Sequence, residues 1–220
     1  MSDAAPTFLK PTVFIIDEDP AFKSNLSWQL ENIGFLTKTF SFLETFFNFY
    51  REDIPGCLII DIRAAGSLGV ELISTLRKKG VRLSVIFLSE KPDTSTAVKA
   101  IKLGAIDFLH KTVDTTTLVA SVNQALHSNH THRLFEEGLH RAHTLYTQLT
   151  AREKEVFQYV LRGLTNKTMA SVLSITLKTI EAHRANIMSK MQANSLSELV
   201  TQAVKFNLIK EDEMLLKEPA

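Results

Sequence analysis

Charged residues follow three short apolar runs of this chain, each at the point where the run meets a turn. In chain order they are Asp17 and Glu18 after residues 13–16, Asp61 after residues 58–60, and Lys111 shortly after residues 106–109. Short apolar runs that alternate with helix-period segments are typical of buried parallel strands, whose carboxyl ends share one edge of the sheet. Because ligand sites form at that edge, we expect these side chains to meet there.

Carboxyl groups gathered at one edge would raise one another's pKa unless a cation lay among them. Mg²⁺ prefers a few hard oxygen ligands, so Asp17, Glu18 and Asp61 are its predicted ligands. Asp61 is also the predicted nucleophile, since a carboxylate can attack phosphorus and phosphoryl transfer needs charge neutralisation more than acid or base help. Lys111 would supply a fixed positive charge, and Ser89, which ends another apolar run, would hydrogen-bond a phosphoryl oxygen. Each residue alone is more often a turn former; the ordered set predicts a phosphoryl-accepting site.

The size and composition of the chain indicate a protein of two ordinary domains. It has 220 residues, of which 45% are hydrophobic and 22% charged, a composition typical of soluble globular proteins. Cys57 is the single cysteine, so no intrachain disulfide is possible and nothing points to an oxidising compartment. The sequence shows neither a secretory signal nor a segment long enough to cross a bilayer. We therefore expect a cytoplasmic protein that does not bind membranes.

Residues 12 to about 126 carry five alternations of strand and helix patterns. Such an alternation predicts an α/β fold with a doubly wound, five-stranded parallel sheet and helices on both faces. Asp19 before Pro20 marks the start of the first helix, and Ser41 with Glu44 predicts a capping box for the second helix. The sheet edge that carries the acids therefore belongs to a predicted first domain, residues 1–126.

Residues 127–148 are polar and compatible with a helix, so they are predicted to be a helical linker. They hold five of the seven histidines of the chain, namely His127, His130, His132, His140 and His143. Spacings of three residues could place some of these side chains on one face of a helix, as in a metal site. A solvated linker helix is the favoured interpretation, and no metal is assigned there.

The chain from residue 150 onward has purely helical periodicity in short segments. Capping boxes are predicted at the first and the last helix, from Thr150 with Glu153 and from Ser195 with Glu198. Residues 149–208 are therefore predicted to form a small all-α domain of four helices. Residues 209–220 are predicted to be a solvated acidic tail.

Two of these short helices are joined by a three-residue turn at residues 174–176 and form a helix-turn-helix candidate. Lysine and arginine outnumber aspartate and glutamate 8 to 4 over residues 148–205, so the region is mildly basic. Small residues would let the second helix enter a major groove, Glu181 could accept from a cytosine amino group, and basic side chains suit phosphate oxygens. The predicted DNA-contacting residues are Lys167, Thr168, Lys178, Thr179, Glu181, Ala182, Arg184, Ala185 and Lys190. Charges alone fit equally well a four-helix module whose charged faces are merely solvated.

Motifs in both halves of the chain resemble one family. FIIDEDP, CLIIDIR, GVELI, VIFLS and GAIDFLHK resemble the receiver domain of bacterial response regulators, over roughly residues 10–126. LTAREKEVFQYVLRGLTNKTMA and TIEAHRANIMSKM resemble the LuxR-type helix-turn-helix, over about residues 148–205. Joined in one chain, the two resemble the FixJ and NarL family of transcriptional regulators.

The resemblance implies a function and further site residues. A receiver of this family has a flavodoxin-like fold and takes a phosphoryl group from a histidine of a sensor histidine kinase, with Mg²⁺ as cofactor. By the same resemblance the backbone carbonyl of Arg63 is a further metal ligand, and Phe108 is the switch aromatic that turns inward when Ser89 engages the phosphoryl group. Residues 177–191 would form the recognition helix. Phosphorylation would favour a homodimer that binds double-stranded promoter DNA at two half-sites, with RNA polymerase as a further partner.

Three places depart from the pattern of the family. In the first, Ala64 and Ala65 replace the methionine and proline that usually follow the nucleophile. In the second, Glu90 and Lys91 replace the small residues that usually follow Ser89. In the third, Thr112 replaces the proline that usually follows the lysine. Because a non-proline cis peptide costs about 3 kcal/mol or more, a trans Lys111–Thr112 bond with Lys111 displaced is an alternative to the usual geometry of the family.

Two other functions are compatible with the sequence. The departures at Ala64, Ala65 and Thr112 allow a DNA-binding regulator that is independent of phosphorylation and whose receiver is a constitutive dimerisation domain. The acidic site could instead hydrolyse small phosphate esters, although the chain shows no second nucleophile system and the second domain would go unexplained. The leading prediction is a phosphorylation-controlled regulator that is not an enzyme.

Overall fold

The computed structural model describes residues 10–208, apart from the side chain of Ser67. The predicted acidic tail, residues 209–220, lies outside the described residues. The chain divides into two compact units, with the boundary between Arg133 and Leu134.

The first unit is built on five parallel strands in the spatial order β2-β1-β3-β4-β5. The strands are β1 Thr12–Ile16, β2 Leu36–Phe40, β3 Gly56–Asp61, β4 Ser84–Ser89 and β5 Asp107–His110. The helices between and after them are α1 Pro20–Asn32, α2 Leu43–Phe49, α3 Leu72–Lys78, α4 Thr94–Lys102 and α5 Thr115–Thr147, with a 3₁₀ helix at Gly66–Glu71. The predicted doubly wound α/β fold with a five-stranded parallel sheet is confirmed.

The sheet is buried on both faces, because alternate residues of each strand enter separate cores. Phe14 and Ile16 of β1 pack in one core, and Val13 and Ile15 pack in the other. A cluster of aromatic rings around Phe14 fills the first core next to α2. The continuous apolar runs of the sequence thus arise from strands that have no solvated face.

Two helix starts in this unit differ in how they are capped. The Asp19 carboxylate accepts hydrogen bonds from the backbone amides of the first turn of α1, as predicted. The predicted capping box at Ser41 and Glu44 is wrong, because α2 begins at Leu43 and has no side-chain cap. The Ser41 hydroxyl is instead taken by the buried amine of Lys23, whose Nζ donates to Ser41 Oγ over 2.7 Å.

Helix α5 contains the segment that was predicted as a helical linker, up to Thr147. Its residues as far as Arg133 belong to the first unit, where the Asn129 side chain accepts from the amide of Gly56 over 3.0 Å and donates to the carbonyl of Arg82 over 2.8 Å. Gly56 has a positive φ of 155°, and a Cβ there would lie 1.9 Å from the carbonyl oxygen of Thr12. Only glycine therefore fits where β3 begins beside β1.

The second unit is helical. After the remainder of α5 come α6 Ala151–Leu161, α7 Asn166–Val172, α8 Leu177–Lys190 and α9 Leu196–Lys205. These helices surround one apolar core that includes Val156, Phe157, Met169, Ile180, Ile187 and Leu199. The predicted small all-α domain with four helices after the linker is confirmed.

The two capping boxes predicted for the second unit have different outcomes. The one at Thr150 and Glu153 forms, with both reciprocal hydrogen bonds present. At the start of α9 the Ser195 hydroxyl accepts from the amide of Glu198, but the Glu198 carboxylate accepts from the amide of Asn194. The second predicted capping box is therefore wrong in one of its two bonds, because the Glu198 carboxylate accepts from the amide one residue before Ser195.

Across residues 10–208, no helix is both long and apolar enough to cross a membrane.

Candidate functional site

Two acids meet at the carboxyl edge of the sheet. Asp61 is the last residue of β3, and Asp17 directly follows β1, whose last residue Ile16 is paired in register with Ile60. Both carboxyl side chains are almost fully buried, 1% exposed for Asp17 and 3% for Asp61. A turn orients the first of them, because Asp17 Oδ1 accepts from the amide of Asp19 over 2.9 Å. The neighbouring parallel strands thus bring together residues that are 44 positions apart in the sequence.

Lys111 joins the two acids. Its Nζ lies 2.5 Å from Asp17 Oδ2 and 2.7 Å from Asp61 Oδ2, and its side chain is 7% exposed. The same ammonium lies 4.4 Å from the centre of the Phe22 ring, where a cation is attracted to the aromatic face. One buried cation is therefore shared by two buried carboxylates, at the sheet edge where the strand-end pattern places these three residues.

Lys111 is not displaced from the site, although Thr112 replaces the proline usual in the family. The structure contains no cis peptide within residues 10–208, so the bond to Thr112 is trans, yet the ammonium reaches both carboxylates. The reason is that the Lys111 backbone amide donates to the carbonyl of Ser89 over 2.9 Å and extends the pairing of β5 with β4. Beyond it, the Thr112 amide donates to His110 Nδ1 over 3.0 Å and fixes the turn.

Arg63 is the second cation at the acidic pair, and sequence reasoning missed its side chain. Its guanidinium donates to Asp61 Oδ2 through Nε over 3.3 Å and through Nη2 over 3.1 Å, and Nη2 also donates to Glu90 Oε1 over 2.7 Å. The Arg63 backbone amide donates to Asp61 Oδ1 over 2.9 Å. Its carbonyl, the predicted metal ligand, accepts from the amide of Gly66 over 2.8 Å.

These contacts keep Asp61 ionised. Burial raises the pKa of Asp61, but the hydrogen bonds from Lys111 and Arg63 outweigh burial and hold that pKa below its ordinary value. Burial lowers the pKa of Lys111, and its bonds to Asp17 and Asp61 reverse the effect and raise it. Asp61 is therefore a carboxylate at neutral pH, as a nucleophile requires.

The predicted cluster of three acids is not formed. Asp17 and Asp61 converge, whereas Glu18 is exposed, and no three His, Cys, Asp or Glu side chains of residues 10–208 are grouped as a metal-binding set. Glu18 is the next residue of the turn after Asp17, and its side chain faces solvent, whereas Lys111 and Arg63 pair with the two buried carboxylates. Two buried carboxylates still fit Mg²⁺, which binds through one or two of them and keeps several waters.

Ser89 and Phe108 lie on the strands beside this site. Ser89 ends β4 and is buried, and its hydroxyl accepts from the amide of Lys91 over 3.2 Å. Phe108 in β5 is half-buried, with its ring centre 6.1 Å from that of Phe87. The roles of Ser89 as phosphoryl ligand and of Phe108 as switch aromatic stay predictions.

Helices α7 and α8 form a helix-turn-helix in the second unit. The turn between them has Ser174 at a φ of 52°, and the Arg152 guanidinium of α6 donates to the carbonyl of Leu173 over 2.7 Å. Thr176 caps α8 by accepting from the amide of Thr179 over 3.1 Å. Arg152 thus fixes the turn, a role that no sequence pattern indicated.

Most of the predicted DNA-contacting residues are solvent-exposed. Ile180 and Ile187 of α8 enter the core, so the opposite side of the helix faces solvent. The exposed members of the predicted set are Lys167, Thr168, Lys178, Glu181, Ala182 and Ala185. Thr179 is half-buried and its hydroxyl is bonded to that of Thr176.

Two basic residues of the predicted DNA-contacting set are bonded within the unit. Arg184 Nη1 donates to Asn166 Oδ1 over 2.8 Å and joins α8 to α7. Lys190 Nζ lies 2.7 Å from Glu153 Oε2, whose side chain is 4% exposed. Lys190 therefore stabilises a buried carboxylate in this structure, and its contact with DNA stays a prediction.

Comparison with protein families matches both halves of the chain. Residues 13–123 match the response regulator receiver domain, and residues 147–203 match bacterial regulatory proteins of the luxR family.

Curated relatives match nearly the whole chain. The transcriptional regulatory protein FixJ of Azorhizobium caulinodans is 34% identical over 192 residues, which cover 87% of this chain and 91% of that protein. The response regulator protein TodT of Pseudomonas putida is 34% identical over 210 residues, which cover 94% of this chain and 90% of that protein.

Two solved structures with both halves are also similar. A low-resolution structure of the response regulator StyR has a TM-score of 0.78 and 36% identity, covering 89% of this chain and 99% of StyR. Full-length FixJ from B. japonicum has a TM-score of 0.53 and 31% identity, covering 92% of this chain and 100% of that one.

Proposed function

The chain belongs to the transcriptional response regulators that join a receiver domain to a LuxR-type DNA-binding domain, and we propose that Asp61 is its phosphoryl acceptor. The observation that carries the proposal is the buried Asp61 carboxylate, which ends a central strand and is bonded to Lys111. An ionised carboxylate with a fixed cation beside it is suited to attack phosphorus. The donor would be a phosphohistidine of a sensor kinase, as the family implies.

In the proposed transfer an Asp61 oxygen forms a bond to phosphorus while the bond from phosphorus to the histidine nitrogen breaks. Lys111, held over the Phe22 ring, neutralises charge on the phosphoryl oxygens and stays close to the acceptor. Asp17 with Asp61, the carbonyl of Arg63 and the exposed Glu18 would hold Mg²⁺, which supplies further charge neutralisation when bound. The protein is proposed as an acceptor and regulator rather than an enzyme that turns over a small substrate.

The response to phosphorylation is proposed to begin at Ser89. Its hydroxyl lies at the end of β4, next to β5, and would move to bond a phosphoryl oxygen. Phe108 would then turn further into the core that it already contacts. A change of this kind biases a two-state receiver toward the form that dimerises.

The output is proposed to be promoter recognition by α8 in the major groove. Glu181, Ala182 and Ala185 would face base edges, while Lys178 and the α7 residues Lys167 and Thr168 would contact the phosphate backbone. Two copies held together by phosphorylated receivers would read two half-sites and act with RNA polymerase. A cytoplasmic location, where bacterial promoters are found, is part of this proposal.

Labelling with radioactive acetyl phosphate in the presence of Mg²⁺ tests the acceptor. The native chain should be labelled, and Asp61→Asn should remove the label because an amide cannot form the acyl phosphate. Asp53→Asn is the matched control, since Asp53 is an exposed acid of the same unit and should label like the native chain. Label that persists in a folded Asp61→Asn chain would remove Asp61 from this role.

A further inference from the structure

A guanidinium–carboxylate pair lies against the acceptor and is used by no step of the proposed function. Arg63 comes two residues after Asp61, and Glu90 is the first residue after β4. Arg63 Nη2 bonds Glu90 Oε1 over 2.7 Å and Asp61 Oδ2 over 3.1 Å. The side chains of Arg63 and Glu90 are 60% and 55% exposed, so they form the solvent side of a site in which Asp17, Asp61 and Lys111 are buried.

The hydrogen bonds of Asp61 account for both of its oxygens. Oδ1 accepts from the backbone amide of Arg63, and Oδ2 lies within bonding distance of Lys111 Nζ and both donating nitrogens of the Arg63 guanidinium. A cation that binds Oδ2 would have to displace one of these donors, and a cation that binds the remaining lone pair of Oδ1 would lie beside the positive charge of the guanidinium. Lys111 is buried and also bound to Asp17, whereas Arg63 is exposed, so the guanidinium is the donor that can leave.

Charge leads to the same conclusion. Asp17 and Asp61 carry two negative charges, Lys111 provides one positive charge, and the always-charged Arg63 provides the second. A divalent cation added while Arg63 stays in place would leave an excess of positive charge beside Asp61. With Arg63 withdrawn toward Glu90 and solvent, the positive charges of the cation and Lys111 would be balanced by Asp17, Asp61 and the proposed ligand Glu18.

We propose that Arg63 is a positioning residue that competes with Mg²⁺ for Asp61. The inference rests on the proposed acceptor role of Asp61. Without the metal, the guanidinium holds the acceptor carboxylate in one orientation and balances its charge, and Glu90 fixes the guanidinium over the site. Metal binding requires the guanidinium to leave Asp61, so Arg63 lowers the affinity of this receiver for Mg²⁺ and keeps the acceptor closed until the metal is present.

Calorimetric titration of the full chain with Mg²⁺, without any phosphoryl donor, tests this competition. Arg63→Ala should bind Mg²⁺ about three- to tenfold more tightly than the native chain, the range expected for losing one partly exposed, charge-assisted contact. Arg51→Ala is the matched control, because Arg51 is an exposed arginine of the same unit that pairs with Asp53. Arg51→Ala should bind Mg²⁺ like the native chain, since it also removes one positive charge, but at a position outside the site.

Thermal unfolding gives a second test, because the melting temperatures of the native and variant chains can be compared both without and with Mg²⁺. Without Mg²⁺, Arg63→Ala should melt below the native chain, because Asp61 loses two hydrogen bonds from the guanidinium. Saturating Mg²⁺ should close that gap, since the native chain must give up the same contact to bind the metal. A purely structural role for Arg63 would leave the gap unchanged.

The two proposals fail in different ways. Unchanged Mg²⁺ affinity in Arg63→Ala, or no Mg²⁺ binding by either chain, overturns the competition even if Asp61 is labelled by acetyl phosphate. Tighter binding in Arg63→Ala together with persistent label in Asp61→Asn would refute the acceptor role and keep the competition for the metal.

Discussion

Lys111 and Lys190 are both bonded to buried carboxylates, and their surroundings differ. Lys111 bridges Asp17 and Asp61 at a sheet edge, where a third group can approach the acids. Lys190 pairs with Glu153, whose Oε2 also accepts from the amide of Thr150 in the capping box of α6. The role proposed for the first lysine is chemical, whereas the second holds the buried carboxylate of a helix cap.

Lys190→Met should destabilise the second unit by about 1–3 kcal/mol, because Glu153 would stay buried without its cation. Burial raises the pKa of Glu153, but its bonds to Lys190 and Thr150 outweigh burial and lower it. A depressed folded pKa adds stability above the unfolded value of about 4.3 and loses it as pH falls through the folded value. The stability difference between native and variant chains should therefore shrink as pH falls below about 4.

Urea unfolding between pH 3 and pH 7 measures this effect. Lys205→Met is the control, since Lys205 is an exposed lysine of α9 in the same unit and its loss should leave stability nearly unchanged. If Lys190→Met instead lowered the affinity for DNA without lowering the free energy of unfolding, Lys190 would be a phosphate contact and not a stabilising residue.

The residues of the acidic site could be predicted only in part from the sequence. Asp17, Asp61 and Lys111 were found because their places at strand ends fix where their side chains meet. The Arg63 side chain and Glu90 were missed because their contact depends on side-chain conformation between two loops 27 residues apart. Glu18 was included because it follows Asp17, yet the next residue of a turn points elsewhere and is exposed.

At the scale of the element, the helical period of α8 places its core-packing residues on one side and the residues proposed to contact DNA on the other. Ile180 and Ile187 are seven residues apart and enter the core, while Lys178, Glu181 and Ala185 share the exposed side. Thr176 caps the helix, and its hydrogen bond to the amide of Thr179 fixes the first turn, which contains Lys178. The exposed side is therefore a well-defined surface that base edges and phosphates can contact.

Lys178→Ala should weaken binding to duplex DNA about equally across sequences and reduce the slope of log affinity against log salt by about 1, the effect of losing one phosphate contact. Fluorescence anisotropy with a random-sequence duplex at several salt concentrations measures that slope. Lys205→Ala, which removes the same charge from an exposed position on α9, should leave the slope unchanged. Equal slopes for all three chains would mean that Lys178 does not contact phosphate.

The existence and order of the elements could be predicted from periodicity, whereas some of their ends could not. The start of α2 was misplaced because the amine of Lys23, 18 residues away, takes the Ser41 hydroxyl that would have capped it. The start of α6 was placed correctly because its cap, Thr150 with Glu153, is local in sequence. Patterns within one turn are visible in a sequence, and competition from a distant side chain is not.

At the scale of the whole molecule, the chain contains a proposed phosphoryl acceptor in one unit and a proposed DNA-reading helix in the other. Helix α5 is continuous from Thr115 to Thr147 and so runs across the boundary between the units. The central claim is that modification of Asp61 controls the association of two chains and thereby DNA binding. It requires the association state of the whole chain to depend on what occupies Asp61.

Sedimentation velocity of the full chain with Mg²⁺, with and without beryllium fluoride as a mimic of the phosphoryl group, tests that claim most directly. The native chain should shift from monomer to dimer when beryllium fluoride is added, and Asp61→Asn should stay monomeric under both conditions. Two results would contradict the claim. One is a native chain that binds beryllium fluoride, detected by its fluorine resonances, without any change in sedimentation. The other is an equal shift in Asp61→Asn.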